Sequence, residues 1–516
     1  MDKKKSLINV GVSIFFKVIL LVLALMARRF LIKYVGNEAN GLASLYASIV
    51  GFLSVAELGV GSAITFCMYK PIVDDDTTKV SALYRLFTKL YFVIGGIIFA
   101  GGLIIMPFLS HLASGSTEGF NLYFTFLLML VSTVLSYMFS SKTSVINAYK
   151  NNHITTSINS IGLIIQYALQ ILMVCLFHSF ELYLACTIFS VLIQWSATSV
   201  YFNKKYKDIR EIKASVDNDT KSNVVKNVKA MFMHKIGAVL VNTVDSLIIS
   251  AFIGVVILGK YSNYTTIMNS MVGVIILFFN PLTSIIGHLC IKNNLEEIKK
   301  YYNFFHTFNF ISGLVFFLGY YAIIDNLITI CFDKNLEMPK SVSFVITVNY
   351  FIQYMRQATL LFRDATGTFY YDRWKPLIEG VLNVCLSIGF IYLFKYWFGE
   401  DFAVVGVIVA TIITNLFICH IVEPYVLFKY EFHSSVKKYY YKNYFYIFIF
   451  ILSLVVLNFS MRTIDNDWVE FLVNGFIAVA IALFDGIIIL CFDNDFRFYI
   501  KKGIIKYKHK KGKVQD

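Results

Sequence analysis

The chain has 516 residues, of which 57% are hydrophobic and 17% aromatic, while only 15% are charged. A soluble protein of this length has about a quarter of its residues charged, and no polar stretch here is long enough to form a soluble domain. The net charge of +14 therefore reads as a topology signal and contact with anionic headgroups, with no need for nucleic acid.

In chain order, apolar windows predict spans near 7–33, 41–69, 82–109, 121–147, 155–177, 181–203, 226–253, 256–288, 300–325, 341–366, 374–397, 402–423, 443–460 and 469–493. The expected fold class is an all-α polytopic membrane protein with 14 transmembrane helices. The basic start MDKKK is like that of a signal peptide. The apolar run after it is too long and lacks a small-x-small cleavage site, so it reads as an uncleaved first span. That span carries Lys17, Arg28 and Arg29, each costing about 2.5–3.5 kcal/mol at bilayer depth. Lys17 and Arg28 project within about 20° of each other on one helix, whereas Arg29 and Lys33 read as snorkelling to headgroups. Glu57 falls in the second window, and "GGIIFAGG" (95–102) reads as close helix packing.

The segment 203–229 carries Lys204, Lys205, Lys207, Arg210, Lys213, Lys221, Lys226 and Lys229, and the tail from Arg497 is also basic. The loop 110–119 and the turn 254–258 contain neither Lys nor Arg. Positive-inside asymmetry then puts both termini in the cytoplasm. Further along, Lys235 and Asp245 fall in span seven, Arg356 and Asp364 in span ten, Glu379 in span eleven and Asp485 in span fourteen. His234 and His306 read as hydrogen-bonded within the bundle, and Pro281 as the one proline well inside a span, kinking span eight.

"YVGNEANGLASLY" (34–46) and "FIGVVILGKYSNY" (252–264) match at Gly36/Gly254, Gly41/Gly259, Ser44/Ser262 and Tyr46/Tyr264. The register extends back to Lys17/Lys235 and, after a slip of one, on to Tyr137-Met138/Tyr354-Met355. The spacing covers six spans, so the repeat is parallel. It predicts an N-terminal lobe at 1–203, a basic linker at 204–225, a C-terminal lobe at 226–423, two added spans within 424–493 and a tail at 494–516. Two such lobes are a recurrent transporter architecture. "GVVILGK" (254–260) fits a phosphate-loop pattern but is followed by Tyr261 and lies between two spans, so nucleotide binding is rejected. The eight cysteines are scattered without a CxxC or Cys/His cluster and read as buried hydrophobes. No metal, cofactor or catalytic constellation is expected, and the chain does not read as an enzyme.

Counting Lys17, Arg28, Arg29, Lys235 and Arg356 against Glu57 and Asp245 leaves a cationic surplus, which Glu379 and Asp485 would reduce. Arg28 meets Ser246 in the second copy, so the cation belongs to one lobe. The substrate-binding candidates are Arg28, Lys17, Lys235 and Arg356. The ion-coupling candidates are Glu57, Asp245 and Asp364, with structural ion pairing as the competing reading. A cationic cavity in a protein that is nearly all membrane suits a lipid-linked phosphate or diphosphate.

"ARRFLIKYVGNEANGLASLYASIVGFLSVAELGVGSAITFCMYKPI" (27–72), "NTVDSLIISAFIG" and "YMRQATLLFRDATGTFYYDRWKPLIEG" resemble polysaccharide repeat-unit (Wzx-type) flippases of the multidrug, oligosaccharidyl-lipid and polysaccharide exporter superfamily. The resemblance runs from about residue 8 to 430. It implies two six-helix lobes plus two helices. It also implies alternating-access transfer of undecaprenyl-diphosphate-linked oligosaccharide across a bacterial plasma membrane for capsular or cell-surface polysaccharide. Arg28 then takes the place of the family's first-span arginine, and Arg356 and Asp364 fall in the tenth-span pattern. The implied partners are the lipid-linked oligosaccharide, membrane lipids, H+ or Na+, and the pathway's polymerase and glycosyltransferases. Superfamily relatives that export drugs or flip the peptidoglycan precursor supply the alternatives.

Overall fold

The computed structural model describes residues 3–57, 60–115, 117–216, 243–279, 286–287, 295–368, 371–399, 402–493 and 495–498. It is an all-α polytopic membrane protein, with no strand among the described residues. Eight helices there are single runs long and apolar enough to cross a membrane. Helix occurs in each of the fourteen predicted windows. The chain divides into two compact units, Met1–Ser262 and Asn263–Asp516.

The first unit holds α1 (Lys3–Tyr34), α2 (Asn37–Leu53), α3 (Val60–Val73), α4 (Thr77–Ile105), α5 (Leu122–Tyr137), α6 (Ser140–Ala148), α7 (Asn152–Phe177), α8 (Phe180–Lys205), the short α9 (Lys207–Glu211), α10 (Thr243–Phe252) and the first turns of α11 (Val255–Phe279). Side chains satisfy the free N–H groups at several helix starts. Asp76 accepts from the Lys79 amide, Asn121 from Phe124 and Ser179 from Leu182. α1 packs along α7, and α8 along both α7 and α5.

The window at 41–69 is not one helix. α2 ends in a tight 3-10 turn, Ser54–Glu57, before α3 begins. The Ser54 hydroxyl turns back onto the Val50 carbonyl at 2.8 Å, a bond that bends helices.

The repeat is visible in the backbone. Gly36 and Gly254 both take positive φ, 121° and 135°, a region in which a Cβ is strained. Each lets the chain reverse between a span and the next. Past these turns the two copies touch reciprocally: a Cβ on Gly41 would lie 2.1 Å from the Val255 carbonyl oxygen, and one on Gly259 would lie 2.7 Å from that of Asn37. Position 41 corresponds to 259 and 37 to 255, so this is one contact made twice, the self-complementary geometry of a two-fold interface. Asn37 Nδ2 donates to the Val256 carbonyl (2.8 Å) and Asn40 Nδ2 to that of Gly259 (2.9 Å). The breaks correspond too. The fourth window bends by 40° between α5 and α6, beside Met138, and the tenth breaks at Arg356.

The second unit continues with α12 (Leu295–Cys331), α13 (Lys340–Met355), α14 (Gln357–Thr366), α15 (Lys375–Phe398), α16 (Ala403–Thr414), a π-helical turn (Asn415–Cys419), α17 (His420–Tyr430), α18 (Lys437–Ser460) and α19 (Asp467–Phe492). α12 is its spine, packing on α13, α18 and α19. Tyr302 lies edge-on to Phe362, Phe428 and Phe432, and Phe351 stacks on Phe450 at 3.6 Å. The last two helices are tied to the spine by Asp493, which accepts from Thr307 and Lys442, both at 2.6 Å. His306 Nε2 pairs with Asn443 Oδ1 at 3.1 Å; His234 and Pro281 lie outside the described residues. Among the described residues, Pro71 and Pro424 sit inside α3 and α17. Pro424 has no N–H to give the carbonyl of His420, and the helix absorbs the mismatch in the π-helical turn just before it.

Candidate functional site

Arg28 sits where α1, α2 and α11 cross. Its Nη1 donates to the Ser262 carbonyl at 2.8 Å and the Ser262 hydroxyl at 3.2 Å. That hydroxyl also donates to the Gly259 carbonyl (2.9 Å) and faces Asn40 Nδ2 at 3.4 Å. The glycine contact brings α11 close enough to α2 for this arrangement to form. These oxygens are neutral acceptors that orient the guanidinium, and the side chain is half-buried. The phenols of Tyr167 and Tyr183 lie within electrostatic reach of it. The arrangement is one-sided: the counterparts of Arg28 and Ser262 are Ser246 and Ser44, and the Ser44 hydroxyl bonds its own helix at Asn40.

Lys17 lies on α1, half-buried, about 16 Å along the helix from Arg28. Lys235 falls outside the described residues. Glu57 stands in the 3-10 turn, where its Oε2 accepts from the Tyr137 hydroxyl at 3.4 Å. Asp245 is buried on α10.

Arg356 and Asp364 belong to a different construction in the second unit. Arg356 caps the break between α13 and α14 and grips Glu423 with two nitrogens, Nε at 3.0 Å and Nη2 at 2.6 Å. Its Nη1 donates to Asn415 Oδ1 at 2.6 Å, in the π-helical turn, and lies 3.9 Å from Glu379. Lys375 enters from α15, with Nζ 2.6 Å from Glu423 and 3.2 Å from Glu379. Arg363 joins Asp372 at 2.8 Å and Asp364 at 3.2 Å. Glu423, Glu379, Lys375 and Asp372 are almost wholly buried, while Asp364 is half-exposed. These contacts set three cations against four carboxylates.

This corrects the sequence-level charge tally, in which Arg356 counts toward a surplus. The apolar window puts Glu423 at the end of span twelve, although the helix runs on to Tyr430. Arg363, Asp372 and Lys375 do not enter that tally, because they fall at or beside the junction of two windows. Two signals are present in the sequence: a glutamate inside the apolar run "NLFICHIVEPYVL", and Lys375 four residues before Glu379, a helical pair spacing.

No family description and no curated protein sequence matches the chain. Among solved structures it is similar to "Lipid II flippase MurJ, inward closed conformation", at TM-score 0.62 and 15% identity over 93% of this chain and 98% of that one. The chain shares the fold of that structure. A second similar structure is an inward-facing multidrug resistance MATE family transporter of the MOP superfamily, at TM-score 0.60 and 14% identity over 79% of this chain and 96% of that one. A third is a variant of the Vibrio cholerae MATE transporter VcmN, at TM-score 0.51 and 15% identity over 83% and 98%. Within this fold, the first unit presents a cation oriented by neutral oxygens, and the second a cluster in which cations and carboxylates pair directly.

Proposed function

We propose that this protein is a flippase for undecaprenyl-diphosphate-linked oligosaccharide repeat units, carrying them from the inner to the outer leaflet of a bacterial plasma membrane by alternating access. The observation that carries this reading is Arg28, a half-buried guanidinium aimed by the neutral oxygens of Ser262. Such a group suits a diphosphate, whereas an organic cation wants an acid. The likeness to a lipid II flippase over nearly the whole chain supports a lipid-linked substrate. Lys17, on the same helix, extends the cationic track. Glu57, Asp245 and Asp364 stand as candidates for H+ or Na+ coupling. Arg356, through its bonds to Glu423, serves to join spans ten and twelve. The basic segment after α8 and the basic tail support a cytoplasmic position for both termini.

The test is made in cells depleted of the protein, where sugar-complete lipid-linked units are expected to accumulate out of reach of an outside-only glycan label. Restoring the wild type should return them to the label. Arg28→Ala should lower flipping at least about tenfold, the effect of losing charge-assisted hydrogen bonds, with the protein still folded and inserted; Arg28→Lys should recover part of it. If units reach the label without the protein, while sensitivity to cationic drugs rises, the multidrug-export reading replaces this one.

A further inference from the structure

A second group of cations lies at the end of the first unit that bears the basic segment. Arg85 of α4 donates through Nε to the Ile212 carbonyl (3.0 Å) and through Nη2 to that of Arg210 (3.1 Å). Ser81, one turn earlier, reaches the carbonyls of Ile209 (2.7 Å) and Ile212 (2.6 Å). These bonds clamp α9 and the residues after it onto α4. Beside them Lys142 of α6 donates to the Ser199 hydroxyl of α8 at 2.7 Å. Thr88 bonds Ser141 at 3.0 Å and brings the α4 and α6 faces together.

Lys142 lies within electrostatic reach of Arg210, as does Tyr84 of both Arg85 and Arg210. Three like charges from three elements are thus gathered in one place. Among the described residues, neither Arg85 nor Lys142 has a carboxylate within ion-pair distance, and Arg210 has Glu211 at 4.0 Å. Gathering like charges is unfavourable unless an anion joins them. Donor counting points the same way. A guanidinium has five N–H groups and an ammonium three, and the bonds above engage two of Arg85 and one of Lys142. Fixing the chain carbonyls to Arg85 orders the site before any ligand arrives, which lowers the cost of binding.

We propose that Arg85, Lys142 and Arg210 form an oxyanion seat that takes the phosphate or diphosphate headgroup of a lipid. The site is separate from Arg28, and it stands or falls independently of the flippase reading.

The experiment uses full-length protein in phosphatidylcholine nanodiscs, in an Arg28→Ala background so that the Arg28 clamp does not contribute. Farnesyl diphosphate is titrated in, and phosphatidylglycerol retained through purification is measured in parallel by native mass spectrometry. Adding Lys142→Gln and Arg210→Gln together is expected to weaken farnesyl diphosphate binding at least about tenfold, which supports the seat with a transported diphosphate as its source. Loss of retained phosphatidylglycerol with diphosphate binding unchanged also supports the seat, with a membrane headgroup as its source. Neither quantity falling in variants that keep their melting temperature overturns it. Lys142→Gln alone, whose amide still reaches Ser199, repeats the reading if the double variant does not fold. Normal flipping by Arg28→Ala would count against the flippase clamp and leave this result untouched.

Discussion

Replacing Glu423 with alanine is expected to destabilise the second unit by about 3–5 kcal/mol, the cost of removing one partner from a buried ion pair. Glu423 accepts from both Arg356 and Lys375 at 2.6 Å and is 1% exposed. Without it those two cations keep only Glu379 between them, at 3.9 and 3.2 Å. Adding Lys375→Met should recover about half of the loss or more, because it removes one of the two buried cations that lose Glu423 as a partner, and coupling of this kind is what double-variant cycles measure. Melting of detergent-solubilised protein, followed by scanning fluorimetry, reads both effects. An unchanged melting temperature for Glu423→Ala would mean that the cluster contributes nothing to stability. The cluster matters for architecture because its members come from α13–α14, α15 and α17. It holds the break at Arg356 and the π-helical turn in one arrangement.

Gly41→Val is expected to lose most folded protein. A Cβ at that position would lie 2.1 Å from the Val255 carbonyl oxygen and 2.6 Å from its Cγ1. Neither α2 nor the backbone of α11 can yield without separating. Overpacking alone costs about 1–3 kcal/mol. Separation would also break the Asn37–Val256, Asn40–Gly259 and Arg28–Ser262 hydrogen bonds, at about 1 kcal/mol or more each. Gly96→Ala is the control, since a Cβ there meets nothing within 4 Å and replaces glycine inside the helix Thr77–Ile105. It should be neutral or stabilising by up to about 1 kcal/mol. The comparison uses yield of monodisperse protein and melting temperature. Equal behaviour of the two variants would show that the α2–α11 contact does not constrain the fold.

Much of this protein is legible without coordinates, and for a simple reason. A segment crossing lipid must satisfy its backbone internally, so apolar length alone predicts helix, and helix stands in every predicted window. The glycines at 36, 41, 254 and 259 also speak at the level of sequence. In apolar text a glycine that recurs in register marks backbone geometry, and here it marks two positive-φ turns and one reciprocal contact. Arg28 stands out because its insertion cost demands compensation.

What the linear text does not contain is who partners whom. Breaks at Ser54–Glu57, at Arg356 and at Asn415–Cys419 fall inside windows that read as single spans. Their causes are a serine turned onto its own helix, a guanidinium drawn to a carboxylate 67 positions away, and a proline that withholds one N–H. Arg28 and Arg356 look alike in sequence, as cations buried in lipid. Tertiary structure separates them, because a partner is chosen by distance through space: Ser262 accepts from Arg28 with its carbonyl and hydroxyl, and Glu423 meets Arg356 with a carboxylate.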